Sequence, residues 1–433
     1  MTNNMQLGKL ERIALTDAYV TNSPYMKDLE GLHGLIYNIV EKKETAKKLF
    51  DDSESLFYNY NTVEILKKGW RIINEQLIPA FTKNGNVEGD NFNFEFLKEG
   101  EMSSIWKSCI VFMTLWKFAY SNRYDNKEDK QTTIEMFGKE LNDYENQKII
   151  IQKIVYFGTK WLDKIAEENN WQLPPVIPGD EEDGQYSMAI QEQSMYLFVR
   201  SHLSQQGKSE IGNTRIEPVK CLFDAKVKDT NFWHDKYSVN NNNQKEKLSV
   251  RASSMALIAL SDILQNEYVS GSLAEEIRKT CKCAVIDVAD AQNTDGSWPE
   301  FFYSGGDSAG NILATSCALS FLDRFSRFYE LSLPIQIFMD SQTWLSKKIT
   351  DITLSKEQLS IEKVEEVSRA LPALARSCPY LSVTWYRKVF RSLFEKANMH
   401  YDKGFSTADA WRLYAVAEIL RRPKIAKYLE RLI

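Results

Sequence analysis

Proline and glycine are scarce in this chain, at 11 and 19 of 433 residues. The shortage argues against a turn-dense β sandwich or barrel and favours helices. Histidine is scarcer still, at 4, and the six cysteines are scattered at 109, 221, 281, 283, 317 and 378. "CKC" at 281–283 has no second cysteine pair to complete it. Neither a disulfide framework nor a metal site is expected, and no cofactor is called for. No apolar run approaches the roughly 18 residues that a membrane-spanning helix needs. The opening "MTNNMQLGKLERIALTDAYV" lacks the apolar core of a signal peptide, so a cytoplasmic location is expected. An excess of one charge is also missing, with 54 basic against 59 acidic residues and a net charge of −5. That balance argues against a nucleic-acid partner, and the short basic cluster "RRPK" (421–424) reads as helix surface.

What the chain has is apolar and aromatic mass. Hydrophobic residues make up 43% and aromatics 12%, including 10 Trp, 20 Tyr and 22 Phe. A thick core or an aromatic-lined cavity could use them. The apolar residues recur with a period near 3.6. The spacing predicts helices at roughly 27–49, 57–80, 101–121, 147–168, 186–204, 248–266, 272–292, 309–329, 359–376, 382–397 and 406–420. Residues 214–240 are irregular, with room for a short hairpin, and "SVNNNNQKEK" (238–247) reads as an exposed loop.

Three connections share an Asp or Lys, a Gly and then an aromatic. They are "EEDGQYSMA" (181–189), "NTDGSWPEF" (293–301) and "YDKGFSTAD" (401–409). Half the spacing of Gly184, Gly296 and Gly404 is about one helical hairpin with its loops. A repeated hairpin cannot bury its faces alone and must stack. In each unit the second helix is the more apolar, as in "RASSMALIAL" (251–260) and "STADAWRLYAVAEIL" (406–420). A helix apolar over most of its surface is buried on several sides. The expected fold is therefore all-α: a closed α/α toroid of about six helical hairpins over residues 126–433. Residues 1–125 form an N-terminal helical segment that could continue into the ring. An open solenoid is the competing arrangement.

At "AVIDVADAQNTDGSWPEF" the chain resembles the Gln-Trp repeat of the terpenoid cyclase and protein prenyltransferase superfamily, through Gln292, Gly296 and Trp298. Gly184 with Tyr186, and Gly404 with Phe405, are weaker copies. The resemblance implies an α/α toroid in which Gly296 turns the chain, Asp295 caps the turn, Gln292 bonds loop amides and Trp298 rivets neighbouring hairpins. It also implies an acidic Asp-x-Asp-Asp motif that protonates an apolar substrate. "GDEEDGQYSMA" (179–189) approaches that motif with Asp180, Glu182 and Asp183, Glu182 standing where the family has Asp. These three are the candidate catalytic group, with an acidic helix cap as the structural reading. Tyr186, Glu192, Tyr196, Trp298 and Trp411 are the candidate substrate-binding residues, the aromatics by cation–π contact. The family's magnesium pattern fails at "FDDSESLF" (50–57), and no Asp-x-Cys pairs with His400 as its zinc site requires. His234 and Asp235, side by side in "NFWHDKY", and Asp409 at the start of a helix are lesser candidates.

Three functions stay open: acid-initiated cyclisation or isomerisation of an isoprenoid-like compound, a non-catalytic ring that binds a protein partner, and a glycan-active toroid enzyme. Whether the chain is an enzyme at all is undecided, and so is its oligomeric state. If it is one, a lyase or isomerase of the cyclase kind is expected.

Overall fold

The computed structural model describes residues 68–69, 71–82, 92, 94, 98–99, 102–103, 105–120, 144–173, 188–204, 216–237, 248–303, 309–329, 333–355, 357–377, 383–395 and 406–420. Among these, twelve helices alternate between an outer and an inner layer. The outer helices are α1 (Ile78–Phe81, entered through a π-helical turn at Ile73–Leu77), α3 (Tyr144–Glu168), α5 (Ile216–Asp224), α7 (Gly271–Asp290), α9 (Ile335–Thr353) and α11 (Val383–Glu395). The inner helices are α2 (Ile105–Tyr120), α4 (Ile190–Ser204), α6 (Val250–Gln265), α8 (Ile312–Tyr329), α10 (Ile361–Ser377) and α12 (Thr407–Leu420).

Each inner helix packs along the next, and α12 packs back on α2. The six therefore close a ring, and the fold is an α/α toroid of six hairpins. The closure follows from residue choice. On α8 the stripe of Ala314, Ala318, Phe321, Leu322 and Phe325, spaced at three and four residues, is fully buried. On α12 every described side chain from Ala408 to Ala417 is buried. Helices apolar on most sides need neighbours on most sides, which a ring supplies and an open solenoid does not. Since α2 (105–120) completes the circle, the ring takes in residues upstream of 126. The helix expected at 27–49 lies outside the described residues.

The hairpins are stitched together by a repeated loop. Trp298 is fully buried, and its indole N–H donates to the Val288 carbonyl at the end of α7, 2.7 Å away. Its backbone N–H donates to Thr315 Oγ1 on α8, and its carbonyl accepts from the Asn311 N–H. Trp233 does the same one unit earlier. Its indole donates to the Leu222 carbonyl at 2.8 Å, its backbone N–H donates to Ser253 Oγ on α6, and its carbonyl accepts from the Ser249 N–H. Ser249 and Asn311 cap α6 and α8 with their side chains. After each Trp the chain pairs with the start of the preceding inner helix. Residues 236–237 (β2) pair with 188–189 (β1), and Phe301 bridges to Ser249. Phe232 and Phe302 stack at 3.9 Å across this seam.

The turn before Trp298 works largely as expected. Gly296 sits at φ +87°, and a Cβ there would run into the backbone of Asp340 on α9. Asp295 Oδ1 accepts from the Ser297 N–H at 3.0 Å and from its hydroxyl at 2.5 Å. Gln292 differs in one respect. Its amide donates to two carbonyls, Gly296 at 3.0 Å and Ile337 at 2.9 Å, and so ties the loop to α9. The weaker copies at Gly184 and Gly404 lie outside the described residues.

Candidate functional site

The hydrogen bonds and ion pairs show which way the inner helices run. Their C-terminal turns meet at one end, where Lys117 on α2 pairs with Glu418 on α12 at 2.5 Å. Glu418 takes two bonds from Arg376 on α10, at 3.0 and 2.8 Å. Arg324 on α8 pairs with Asp262 on α6, and His202 Nδ1 on α4 lies 3.7 Å from the same carboxylate. Each inner helix thus contributes one titratable residue to a girdle that floors the ring. Cations predominate in it, which suits the carbonyl ends of six helix dipoles.

His202 is the titrating member of this girdle. Burial, helped by the nearby Arg324 and Lys117 charges, outweighs the pull of Asp262 and lowers its pKa from an ordinary 6.5 to about 4. The ring is held neutral in the fold, with Nδ1 2.9 Å from the Phe198 carbonyl oxygen. The unfolded chain takes up the proton first as pH falls. Stability from this group is therefore complete above about pH 6.5 and is lost as pH drops towards 4. Because 29% of the side chain remains exposed, solvent moderates the loss to roughly 2 kcal/mol. Denaturant unfolding of wild type and His202→Gln across pH 4–7 should converge by that amount at the acid end. Parallel curves would reject the assignment.

Above the girdle lies an axial cavity of about 100 Å³, lined from all six inner helices. Its aromatic wall is Trp106, Phe198, Trp411 and Tyr414, and two arginines, Arg369 and Arg376, also line it. No carboxylate lines it among the described residues. The Arg369 guanidinium lies 4.6 Å from the Trp106 ring centre and 5.3 Å from that of Trp411. Its single ion pair among the described residues is with Glu365, at 3.5 Å. Burial pulls the Arg369 pKa below the ordinary arginine value, with Glu365 acting against it. The Cys317 thiol also lines the cavity, and burial raises its pKa, which keeps it protonated.

Of the predicted site residues, only those among the described residues can be placed, and these do not share one site. Asp180, Glu182, Asp183 and Tyr186 lie outside the described residues. Trp411 lines the cavity. Trp298 does not, because its indole is committed to the seam between hairpins. Tyr196 points to the outer layer, where its hydroxyl donates to Asp163 on α3 at 2.7 Å. Glu192 sits in the wall near the buried Cys109 thiol of α2, whose pKa is raised by burial and then by this carboxylate. It is not among the cavity-lining residues. Asp235 takes a bond from Gln191 and faces Arg251 at 3.8 Å, a tie between helix starts. Asp409 caps α12 together with Ser406.

Sequence reasoning missed Trp106, Arg369 and Arg376. A signal for the arginines was present in "RALPALAR" (369–376). Two cations seven residues apart fall on one helix face and interrupt an otherwise apolar stretch.

No protein-family model matches the chain, and no curated protein matches it. Among solved structures, a sugar epimerase from a ruminal bacterium is 13% identical, with 83% of this chain and 99% of that one covered and a TM-score of 0.46. A possible member of the GH105 family from Salmonella enterica is 12% identical, with 86% and 94% covered and a TM-score of 0.41. Likenesses this weak carry no argument, and the toroid rests on the closure of its six inner helices. Among the described residues no helix is long and apolar enough to cross a membrane.

Proposed function

We propose that the protein is a toroid that binds a compact small molecule in its axial cavity. The observation that carries this reading is the cavity wall itself. All six inner helices contribute to it, and it sets a largely buried guanidinium against a contacting pair of indoles. Its volume of about 100 Å³ falls below the roughly 300–1,000 Å³ of pockets that take drug-sized ligands. The occupant is therefore small. A cavity of this size favours a compact occupant over an isoprenoid chain of cyclase-substrate size.

The cyclase reading draws support from the aromatic wall, but the charge works against it. Cyclisation needs aromatic faces free to stabilise a carbocation. Here the Trp106 and Trp411 faces already carry Arg369, and a second cation beside it would be repelled. Glu182, with Asp180 and Asp183, remains its candidate acid. Glu182→Gln would abolish turnover of an isoprenoid substrate without lowering the melting temperature if that reading holds. A glycan-active toroid is compatible with a Trp-lined pocket that takes one small sugar, and a ring that binds a protein partner would leave the cavity unused.

The test is ligand-induced thermal stabilisation across a panel of small metabolites. A ligand at about a hundred times its Kd adds about 2.7 kcal/mol to stability. Ser320→Phe, which fills the cavity from α8, is expected to remove the response to any compound that stabilises the wild type. A response unchanged by that substitution would place binding elsewhere.

A further inference from the structure

We propose that the axial pocket takes a small organic anion, a carboxylate on a flat or apolar body, and that Arg369 anchors it. This inference rests on the axial cavity being the ligand site.

The two cavity arginines are held differently. Arg376 is committed to structure. It gives Glu418 two hydrogen bonds and reaches the Tyr414 hydroxyl at 3.4 Å, and these partners push its pKa up despite burial. Arg369 has no such clamp. Glu365 meets it through one long contact, 3.5 Å, and no other described residue accepts a hydrogen bond from it. A guanidinium has five N–H donors in a planar fork that suits a carboxylate. Most of that fork is unmet inside the ring. A cation this far inside the ring, its side chain 11% exposed, is costly to keep with so little compensation unless something else completes it.

An independent observation points the same way. Trp411 is only 7% exposed and lines the cavity, yet its indole N–H is buried with no partner. The corresponding N–H groups of Trp298 and Trp233 are both satisfied at 2.7–2.8 Å. The pocket therefore holds two unmet donors and no carboxylate in its described lining. Ser194 and Ser316 do not change this balance, because their hydroxyls donate to helix carbonyls at Ile190 and Leu313. Donors without acceptors in an otherwise apolar, aromatic-lined pocket complement a carboxylate carried on an apolar body.

The experiment compares matched probes by thermal shift and calorimetry: benzoate against benzamide, and glucuronate against glucose. The wild type is expected to bind the anion of at least one pair about tenfold or more tighter than its neutral partner. Arg369→Met should erase that preference. Arg369→Lys, which keeps the charge but loses the fork, should keep part of it, and Trp411→Phe should weaken it while the protein stays folded. Arg369→Met should melt at or above the wild-type temperature, since it removes an under-compensated buried charge. Equal binding of neutral and anionic partners would overturn the anion inference and leave the pocket reading standing. No response to either series would overturn both. If Arg369→Met fails to fold, Arg369→Lys decides: an undiminished anion preference there excludes fork-type recognition by Arg369.

Discussion

Trp298→Ala is expected to lower the unfolding free energy by about 3–5 kcal/mol, the cost of emptying a large buried aromatic site. The side chain is fully buried, and its indole ties the end of α7 to the loop that leads into α8. Removing it leaves both a cavity and an unpaired Val288 carbonyl. Trp298→Phe restores most of the apolar surface but not the hydrogen bond, so it should cost less, about 1–3 kcal/mol. Trp233→Ala should cost as much as Trp298→Ala, because the two residues make the same three hydrogen bonds in neighbouring units. Urea unfolding of the four proteins measures this directly. A Trp298→Ala variant as stable as wild type would remove the rivet from the account of the ring. A Trp233→Ala variant much milder than Trp298→Ala would mean the repeat is geometric only.

The ring was legible in the chain because its cause is local. Inner helices such as "ATSCALSFL" (314–322) are apolar on nearly every side, and that pattern survives without any partner in view. Two outer helices were not legible. Helix α5 has nine residues, too short for periodicity to separate it from a loop. Helix α9 follows Pro334 and is rich in Ile, Thr and Ser, which are indifferent helix formers. Packing on α8 and α10 decides its conformation. The Trp233 copy of the seam was hidden for another reason. Its loop has no Gly in the Gly296 position, and "NFWHDKY" drew attention to His234 and Asp235 instead.

The site was less legible than the fold, because it depends on which face of each helix turns inward. Trp411 and Tyr196 look alike as aromatics on apolar stripes. One faces the axis and the other faces Asp163 on the outer layer. Arg369 and Arg376 likewise share a face, yet only Arg376 finds a clamp, and that clamp comes from Glu418, 42 residues away. No local pattern carries that information.

Asp409→Ala is expected to cost about 3–5 kcal/mol, because it removes the counter-charge of a fully buried arginine. Arg412 has no solvent exposure, and its Nη2 donates to Asp409 Oδ1 at 2.5 Å. It also donates to the Leu393 carbonyl at 3.2 Å and lies 4.4 Å over the Phe394 ring, which docks α12 on α11. The other oxygen of Asp409 accepts from the Ser406 N–H at 3.1 Å and its hydroxyl at 2.7 Å, while Ser406 Oγ accepts from the Asp409 N–H. One carboxylate therefore closes a capping box and neutralises a buried charge. The two roles separate in a double-mutant cycle. Ser406→Ala should cost about 1 kcal/mol, the usual cost of a lost cap. Arg412→Met placed in the Asp409→Ala background should recover most of the loss, because the stranded charge is gone. If the double variant is instead less stable than Asp409→Ala by the full Arg412→Met cost, the charge pair is not coupled, and Asp409 acts at the helix start alone.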